Sequence, residues 1–152
     1  MKIGVPKEIK PQENRIGLTP DSVKVLVSEG HEVLVENDGG FEAGFDNDQY
    51  TKAGAKIVNS ASDIFNDSEI IVKVKEPQKI EVDMIKENQI IYTYLHLAAA
   101  KELTEGLIKS KSVNIAYETV TDDNGRLPLL APMSAVAGRM SVQAGAHCLE
   151  KN

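Results

Sequence analysis

Several ionisable side chains stand immediately after apolar segments of this sequence, where a buried strand would leave the core and meet water. Lys75 and His96 each end such a segment, Glu118 follows a further one, and Arg15 lies in the loop KPQENRIGLTP. Arginine presents a fixed fork of donors to a carboxylate, and lysine can orient a carbonyl or carboxylate oxygen. Histidine exchanges protons near neutral pH. Together these residue types suit a small 2-oxo acid or amino acid as ligand.

Each of these residues also has a plainer explanation. Arg15 taken alone is more typical of a solvated loop arginine, and Lys75 could form a weak surface ion pair with its acidic neighbour. His96 could pack under a following helix, and Glu118 could pair with Arg15 or Lys75 or orient another group. Tyr94 would face the same side as His96 if the strand continues, so it either lines a pocket or packs at the rim. The hypothesis of a site therefore depends on the residues converging.

The elements that would position them alternate along the chain. Short β-branched runs, each typical of a strand, are separated by amphipathic segments typical of helices. The predicted strands are Lys2–Pro6, Glu32–Glu36, Lys56–Val58, Glu69–Lys75, Gln89–Leu95 and Val113–Tyr117. The alternation predicts an α/β fold with a doubly wound, mostly parallel sheet and flanking helices. In such sheets ligands bind outside the carboxyl ends of the strands, so the candidate residues should meet at one edge.

Capping signals mark the predicted helices. Thr19 before Pro20 begins the first helix, and Gly30 ends it. Asp46, Ser60 and Ala100 begin three further candidates, and Gly54 ends one of them.

A long helix is predicted from Ser134, as its N-cap, to about Lys151. Met133 and Ser134 would lie at its N-terminus, where unpaired N–H groups favour an anion or a polar ligand group. The sequence stops while this pattern is still running. An unfinished architecture and a frayed helix explain this ending equally well.

Composition excludes several classes of protein. A net charge of −6 and a pI near 5.1 disfavour nucleic acid, and no apolar run approaches the roughly 20 residues of a membrane helix. The single Cys148 and the absence of a secretory signal predict a reducing, cytoplasmic setting. The histidines show no metal-ligand spacing, so no metal is predicted. The glycine-rich NDGGFEAGF matches no phosphate-binding motif and is interpreted as a turn-forming loop.

Five segments together resemble the amino-terminal part of the bacterial L-alanine dehydrogenases. They are MKIGVPKEIKPQENRIGLTP, VKVKEPQ, YTYLHLAAAKELTEGL, AYETV and LLAPMSAVAGRMSVQAGAHCLEK. The related transhydrogenase α-subunits share the opening GVPKE and the helix containing PMS, so the histidine of YTYLHLA and the lysine of KEP favour the dehydrogenases. The resemblance implies NAD-dependent, reversible oxidative deamination of L-alanine to pyruvate and ammonium.

The resemblance also implies roles for particular residues. Arg15 and Lys75 correspond to the substrate-binding pair, with Lys75 also taking part in catalysis, and His96 to the catalytic acid/base. Tyr94 and Glu118 are further predicted pocket residues. Ser134, with Met133 beside it, is similar to a cofactor-contacting serine. Hydride loss from the alanine Cα to NAD would give an iminium, and His96 would manage protons as water adds and ammonia leaves.

The same resemblance predicts how the chain is organised. Residues 1–133 would form an incomplete substrate domain and 134–152 the start of an interdomain helix, with the main NAD site in a Rossmann domain absent from this sequence. The 152 residues alone should then lack alanine-dependent NAD reduction, because nothing orients the hydride acceptor. The family forms homo-oligomers, hexamers in the best-known cases. Three alternatives remain: a transhydrogenase-like subunit, a stand-alone binding module for small carboxylates, and a structural oligomerisation domain.

Overall fold

A computed structural model describes residues 1–150 and contains one six-stranded sheet in which every pair of neighbours is parallel. The strands are β1 (Lys2–Val5), β2 (Glu32–Glu36), β3 (Lys56–Val58), β4 (Ile70–Val72), β5 (Ile90–Thr93) and β6 (Val113–Ala116). Their spatial order is β3-β2-β1-β4-β5-β6. The order reverses between β1 and β4, so the crevice expected to bind ligands lies at the carboxyl ends of these two strands.

Helices connect the strands. They are α1 (Pro20–Ser28), α2 (Asn47–Lys52), α3 (Ala61–Asp67), α4 (Lys79–Val82), α5 (Lys101–Ser110) and α6 (Ala131–Cys148), with short 3-10 turns at Phe41–Ala43, Leu97–Ala99 and Tyr117–Thr119.

Two apolar clusters cover the two faces of the sheet. On one face Val23 of α1 and Tyr50 of α2 pack against Val5, Val33 and Val35. The other cluster places side chains of α3, β4, β5 and α5 together, with Ile64, Phe65, Ile71, Ile91 and Leu107 at its centre. Alternate residues of one strand enter opposite clusters, as the pleat requires. The predicted doubly wound fold is therefore confirmed.

The helix starts in this part of the chain agree with the capping signals. Thr19 accepts a hydrogen bond from the Ser22 N–H, and Asp46 and Ser60 accept equivalent bonds at the starts of α2 and α3. Gly30 and Gly54, with φ of +84° and +96°, follow the ends of α1 and α2. Ala100 precedes α5 as predicted, although without a side-chain cap. The one-turn helix α4 was not predicted, because four residues carry too little periodicity to be recognised.

Four predicted strands are longer than the observed ones. β4 and β5 end at Val72 and Thr93, not at Lys75 and Leu95, and β1 and β6 are each one residue shorter than predicted. The apolar pattern continues past the last ladder residue because Val74 and Leu95 are themselves buried. The apolar pattern therefore indicates which residues are buried, but it does not indicate where the strand ends.

A second compact unit begins at Tyr117 and contains α6. The prediction that Ser134 caps this helix is wrong: Leu130 is the cap residue, Pro132 lies in the first turn, and the Ser134 N–H donates to the Leu130 carbonyl. Proline is favoured at the start of a helix because it lacks the N–H that would stay unpaired there. The helix ends at Cys148, short of the predicted Lys151, which lies outside the described residues. None of the described helices is both long enough and apolar enough to span a bilayer.

Candidate active site

The loop between β1 and α1 lies against the end of β4. A Cβ on Gly17 would stand 2.4 Å from the Val72 carbonyl oxygen, so only glycine permits this approach. The neighbouring Ile16 is buried in the core cluster with Val5 and Val72. These two residues anchor the loop, and Arg15 is consequently held beside the carboxyl end of β4.

Arg15 forms a bidentate ion pair with Glu13. Its Nε donates to Glu13 Oε1 at 2.7 Å and its Nη2 donates to Oε2 at 2.6 Å, while the Arg15 backbone N–H also donates to Oε1. The Glu13 side chain is only 7% exposed, against 42% for that of Arg15. Hydrogen bonding from Arg15 lowers the pKa of Glu13 to about 2, and Lys75 adds a smaller effect in the same direction. Glu13 is therefore a fixed negative charge at neutral pH.

Lys75 is positioned through its backbone. Its N–H lies 3.3 Å from Glu8 Oε1, and its carbonyl accepts a hydrogen bond of 2.9 Å from the hydroxyl of the fully buried Thr93. They add to backbone hydrogen bonds that continue past the end of β4, from the Lys73 N–H to the Tyr92 carbonyl and from the Tyr94 N–H to the Val74 carbonyl. Among residues 1–150, no carboxylate forms an ion pair with the Lys75 ammonium. The neighbouring Glu76 is paired with Lys10, so the simple ion pair with Lys75 considered from the sequence is not formed.

Lys73, Glu8 and Glu81 form a buried cluster of charges, and Glu8 connects it to the Lys75 backbone. The ammonium of Lys73, which has no exposed surface, is 3.1 Å from Glu8 Oε2 and 2.8 Å from Glu81 Oε1. The other oxygen of Glu8 accepts the N–H of Val74 at 2.6 Å. Burial is the largest influence on Glu81 and raises its pKa, in spite of the opposing charge of Lys73. The cluster links the loop after β1, the end of β4 and α4.

Sequence reasoning missed this cluster, although one signal was present. Lys73 interrupts an otherwise apolar run that begins in β4 and stays buried past the end of that strand. A buried lysine requires a carboxylate partner, because an unpaired charge in the interior is very costly. The partners could not be read from the sequence, since Glu8 is 65 residues away.

Tyr94 and His96 lie together beyond the end of β5. Their rings are nearly parallel, at 14°, with centroids 6.2 Å apart. The strand ends before them and His96 has a left-handed backbone with φ of +51°, so strand alternation is not what brings the rings together. His96 is exposed and Tyr94 partly buried. The hydrogen bond to Glu13 is the largest influence that raises the pKa of Arg15, burial opposes it, and the Glu13 charge and the nearby Tyr94 ring, which ionises only in strong alkali, add smaller increases.

The remaining predicted site residues belong to the second unit. Glu118, in the 3-10 turn Tyr117–Thr119, is partly buried, and Met133 and Ser134 are exposed in the first turns of α6. Their roles as pocket and cofactor contacts stay predictions.

The crevice between β1 and β4 does not fit a dinucleotide, although its strand order is the one that dinucleotide-binding domains use. A pyrophosphate needs a short glycine-rich turn leading directly into a helix N-terminus. Here the connection from Val5 to Pro20 is long and contains no such turn. In the described part of the chain no group of three or more His, Cys, Asp or Glu residues could hold a metal ion.

The fold and the residues at the carboxyl ends of its strands define a class of protein. It is a doubly wound α/β domain that presents Arg15, Lys75 and a histidine–tyrosine pair around the crevice where the strand order reverses. Residues 4–137 match the family described as alanine dehydrogenase/PNT, N-terminal domain, and the chain belongs to that family.

Known relatives agree with this assignment. Over 99% of its length the chain is 53% identical to the alanine dehydrogenases of Halomonas elongata and of Geobacillus stearothermophilus, and it covers 41% of each. A solved L-alanine dehydrogenase superposes with a TM-score of 0.92 at 55% identity, covering 99% of this chain and 41% of that one. A transhydrogenase from Sinorhizobium meliloti shares the fold, with a TM-score of 0.76 and 24% identity over 82% of this chain and 35% of its own. The chain thus spans less than half the length of these relatives.

Proposed function

We propose that this chain supplies the substrate-binding residues of an NAD-dependent alanine dehydrogenase, which converts L-alanine reversibly to pyruvate and ammonium. One observation carries the proposal: the folded loop after β1 and the ends of β4 and β5 bring Arg15, Lys75, Tyr94 and His96 to the same edge of the sheet. Membership of the alanine dehydrogenase/PNT family supports it. In this proposal residues 1–133 are the substrate domain, and the cell compartment is the cytoplasm.

The proposed roles follow from the chemistry of each group. Arg15 holds the carboxylate of alanine or pyruvate, because its guanidinium stays ionised and is oriented by Glu13. Lys75 orients the substrate carbonyl or carboxylate oxygen, from a backbone fixed by Glu8 and Thr93.

His96 accepts a proton from the water that adds to the reacting carbon and returns a proton to the nitrogen as ammonia leaves. Its exposure gives water access to the imidazole, and the ring of Tyr94 beside it limits its orientation. NAD is the proposed hydride acceptor, with Met133 and Ser134 as proposed contacts and Glu118 as a further pocket residue.

The test replaces His96 by alanine in the complete gene product and measures L-alanine-dependent NAD reduction. We expect at least a hundredfold loss of kcat, the usual magnitude for a general acid/base. His31→Ala is the matched control, because His31 immediately precedes β2 and so lies at the amino ends of the strands, away from the site. Full activity of the His96 variant would contradict the assignment of His96, and an inactive wild type would contradict the proposed reaction.

A binding module without chemistry is the second candidate, since Arg15 and Lys75 both lie in the compact unit Met1–Ala116. Pyruvate titrated into the 152-residue chain would reveal binding that requires no further residues, and Arg15→Ala should abolish it. A transhydrogenase-like role has weaker support, because a relative at 24% identity shows the fold alone.

We also propose that the protein forms homo-oligomers and that α6 contributes to the contact. Val136, Met140 and Val142 of this helix are exposed apolar side chains. Light scattering of the wild type and of Val142→Lys would test this, with a smaller particle expected for the variant.

A further inference from the structure

Glu13 orients Arg15 at the site edge but does not itself bind the proposed substrate. Glu13 lies in a surface loop, yet its side chain is almost completely enclosed and is held at both oxygens by Arg15. The pair contributes only modestly to the stability of the fold, because the Arg15 side chain is 42% exposed. Its position beside two substrate-binding cations suggests a different role.

We propose that Glu13 is a specificity-determining residue that restricts the site to monocarboxylates. The inference rests on the proposed function, because it concerns the same Arg15 and Lys75. Glu13 offsets the charge of Arg15, so the pair of cations presents a net charge of about one to a ligand. One carboxylate is matched by that charge, and a second carboxylate on the same ligand meets no counter-charge and is repelled by Glu13.

Most of the neighbouring charges are paired with one another, and Lys7 and Glu42, which line the same small cavity as Glu13 and Arg15, are of opposite sign. Glu76 is paired with Lys10, and Glu8 is paired with Lys73. Glu81 shares the Lys73 ammonium with Glu8, and burial raises its pKa. The Glu13 carboxylate also acts on Lys75 as well as on Arg15, since both cations lower its pKa. Its removal would therefore change the potential over the whole carboxylate-binding edge.

The test compares three amino acids that differ only at Cβ: L-alanine, L-aspartate and L-asparagine. Aspartate adds a carboxylate, and asparagine adds a neutral group of the same size. Dissociation constants are measured by equilibrium titration at low ionic strength, where screening is weakest, on the complete gene product and on Glu13→Gln. Glu32→Gln is the control, because it removes a more exposed ion-paired carboxylate at the amino ends of the strands, far from the site.

Glu13→Gln should reduce the preference for alanine over aspartate by about tenfold, the effect of one unit charge acting over about 12 Å at an effective dielectric constant of about 20. The ratio of alanine to asparagine affinity should not change, and Glu32→Gln should change neither ratio. A role of Glu13 in merely orienting Arg15 would weaken all three ligands equally, and that result overturns the proposal. So does an equal gain for aspartate and asparagine, or a wild type that binds none of the three.

Turnover of L-alanine is recorded in parallel. Activity with an unchanged aspartate ratio overturns the specificity role and leaves the proposed reaction standing. A shifted ratio without turnover supports the role of Glu13 and overturns the proposed reaction.

Discussion

Replacing Lys73 by methionine tests whether the buried charge cluster holds the crevice together. The substitution keeps an unbranched chain of similar length but removes the only cation in contact with Glu8 and Glu81 among the described residues. All three side chains are at most 1% exposed, so the two carboxylates would lose their counter-charge without gaining water. Breaking a buried pair in this way costs about 3–5 kcal/mol. The free energy of unfolding should fall by that amount near pH 8.

The loss should become smaller in acid. Without Lys73, the pKa of the buried Glu81, which burial already raises, would rise further above its unfolded value, so the folded variant binds more protons than the unfolded chain. Its stability is then greatest below the unfolded pKa and falls as pH rises through the folded pKa. Urea unfolding of the 152-residue chain at pH 8 and pH 5 should show a smaller difference from wild type at pH 5.

Two further variants make the comparison decisive. Lys56→Met removes an ion pair with Glu32 whose side chains are 68% and 39% exposed, and should cost far less stability, because solvent screens an exposed pair. Lys73→Met combined with Glu81→Gln removes one of the two uncompensated charges while keeping an acceptor for the Gln78 N–H, and should regain at least part of the loss. The reasoning would be refuted if Lys73→Met cost no more than Lys56→Met at pH 8.

Three other substitutions test the packing and charges around the site. Gly17→Ala should lower the free energy of unfolding in urea by about 2 kcal/mol or more, because its Cβ would stand 2.4 Å from a backbone oxygen. The control is Gly138→Ala, whose Cβ meets nothing within 4 Å and which should be neutral or stabilising by up to about 1 kcal/mol. Equal losses of stability in the two variants would contradict this. Tyr50→Phe removes the bond from the buried hydroxyl to the Leu18 carbonyl at 2.9 Å and should cost about 1–2 kcal/mol by thermal unfolding, whereas an unchanged melting temperature would mean that water replaces it. The pKa of Glu13 is lowered from 4.5 to about 2, so its ion pair adds stability above pH 4.5 that is lost as pH falls through 2. This contribution is about 1–2 kcal/mol after allowing for the exposure of Arg15. In Glu13→Gln the free energy of unfolding should therefore fall less steeply between pH 4.5 and pH 2 than in the wild type, and an equal fall in the two proteins would argue against the ion pair.

Much of the fold follows from local patterns in the sequence. β-branched runs placed all six strands, and the side chains of Thr19, Asp46 and Ser60 placed three helix starts, because each signal acts over a few residues. Ser134 shows the limit of such signals: a serine followed by an apolar helical pattern resembles a cap, but Pro132 already fits the first turn. The one-turn helix α4 left too short a pattern to recognise.

The sequence by itself determined which residue types could bind a small carboxylate, and parallel-sheet topology explained why Arg15, Lys75 and His96 should share an edge. Only the tertiary structure decided how those residues are held. Glu8 meets Lys73 and the Lys75 N–H across more than 60 residues, and Gly17 meets Val72 at a distance that only a folded chain creates. The strength of an electrostatic interaction depends on the distance between the two groups and on their burial. The sequence does not specify either quantity until the chain is folded.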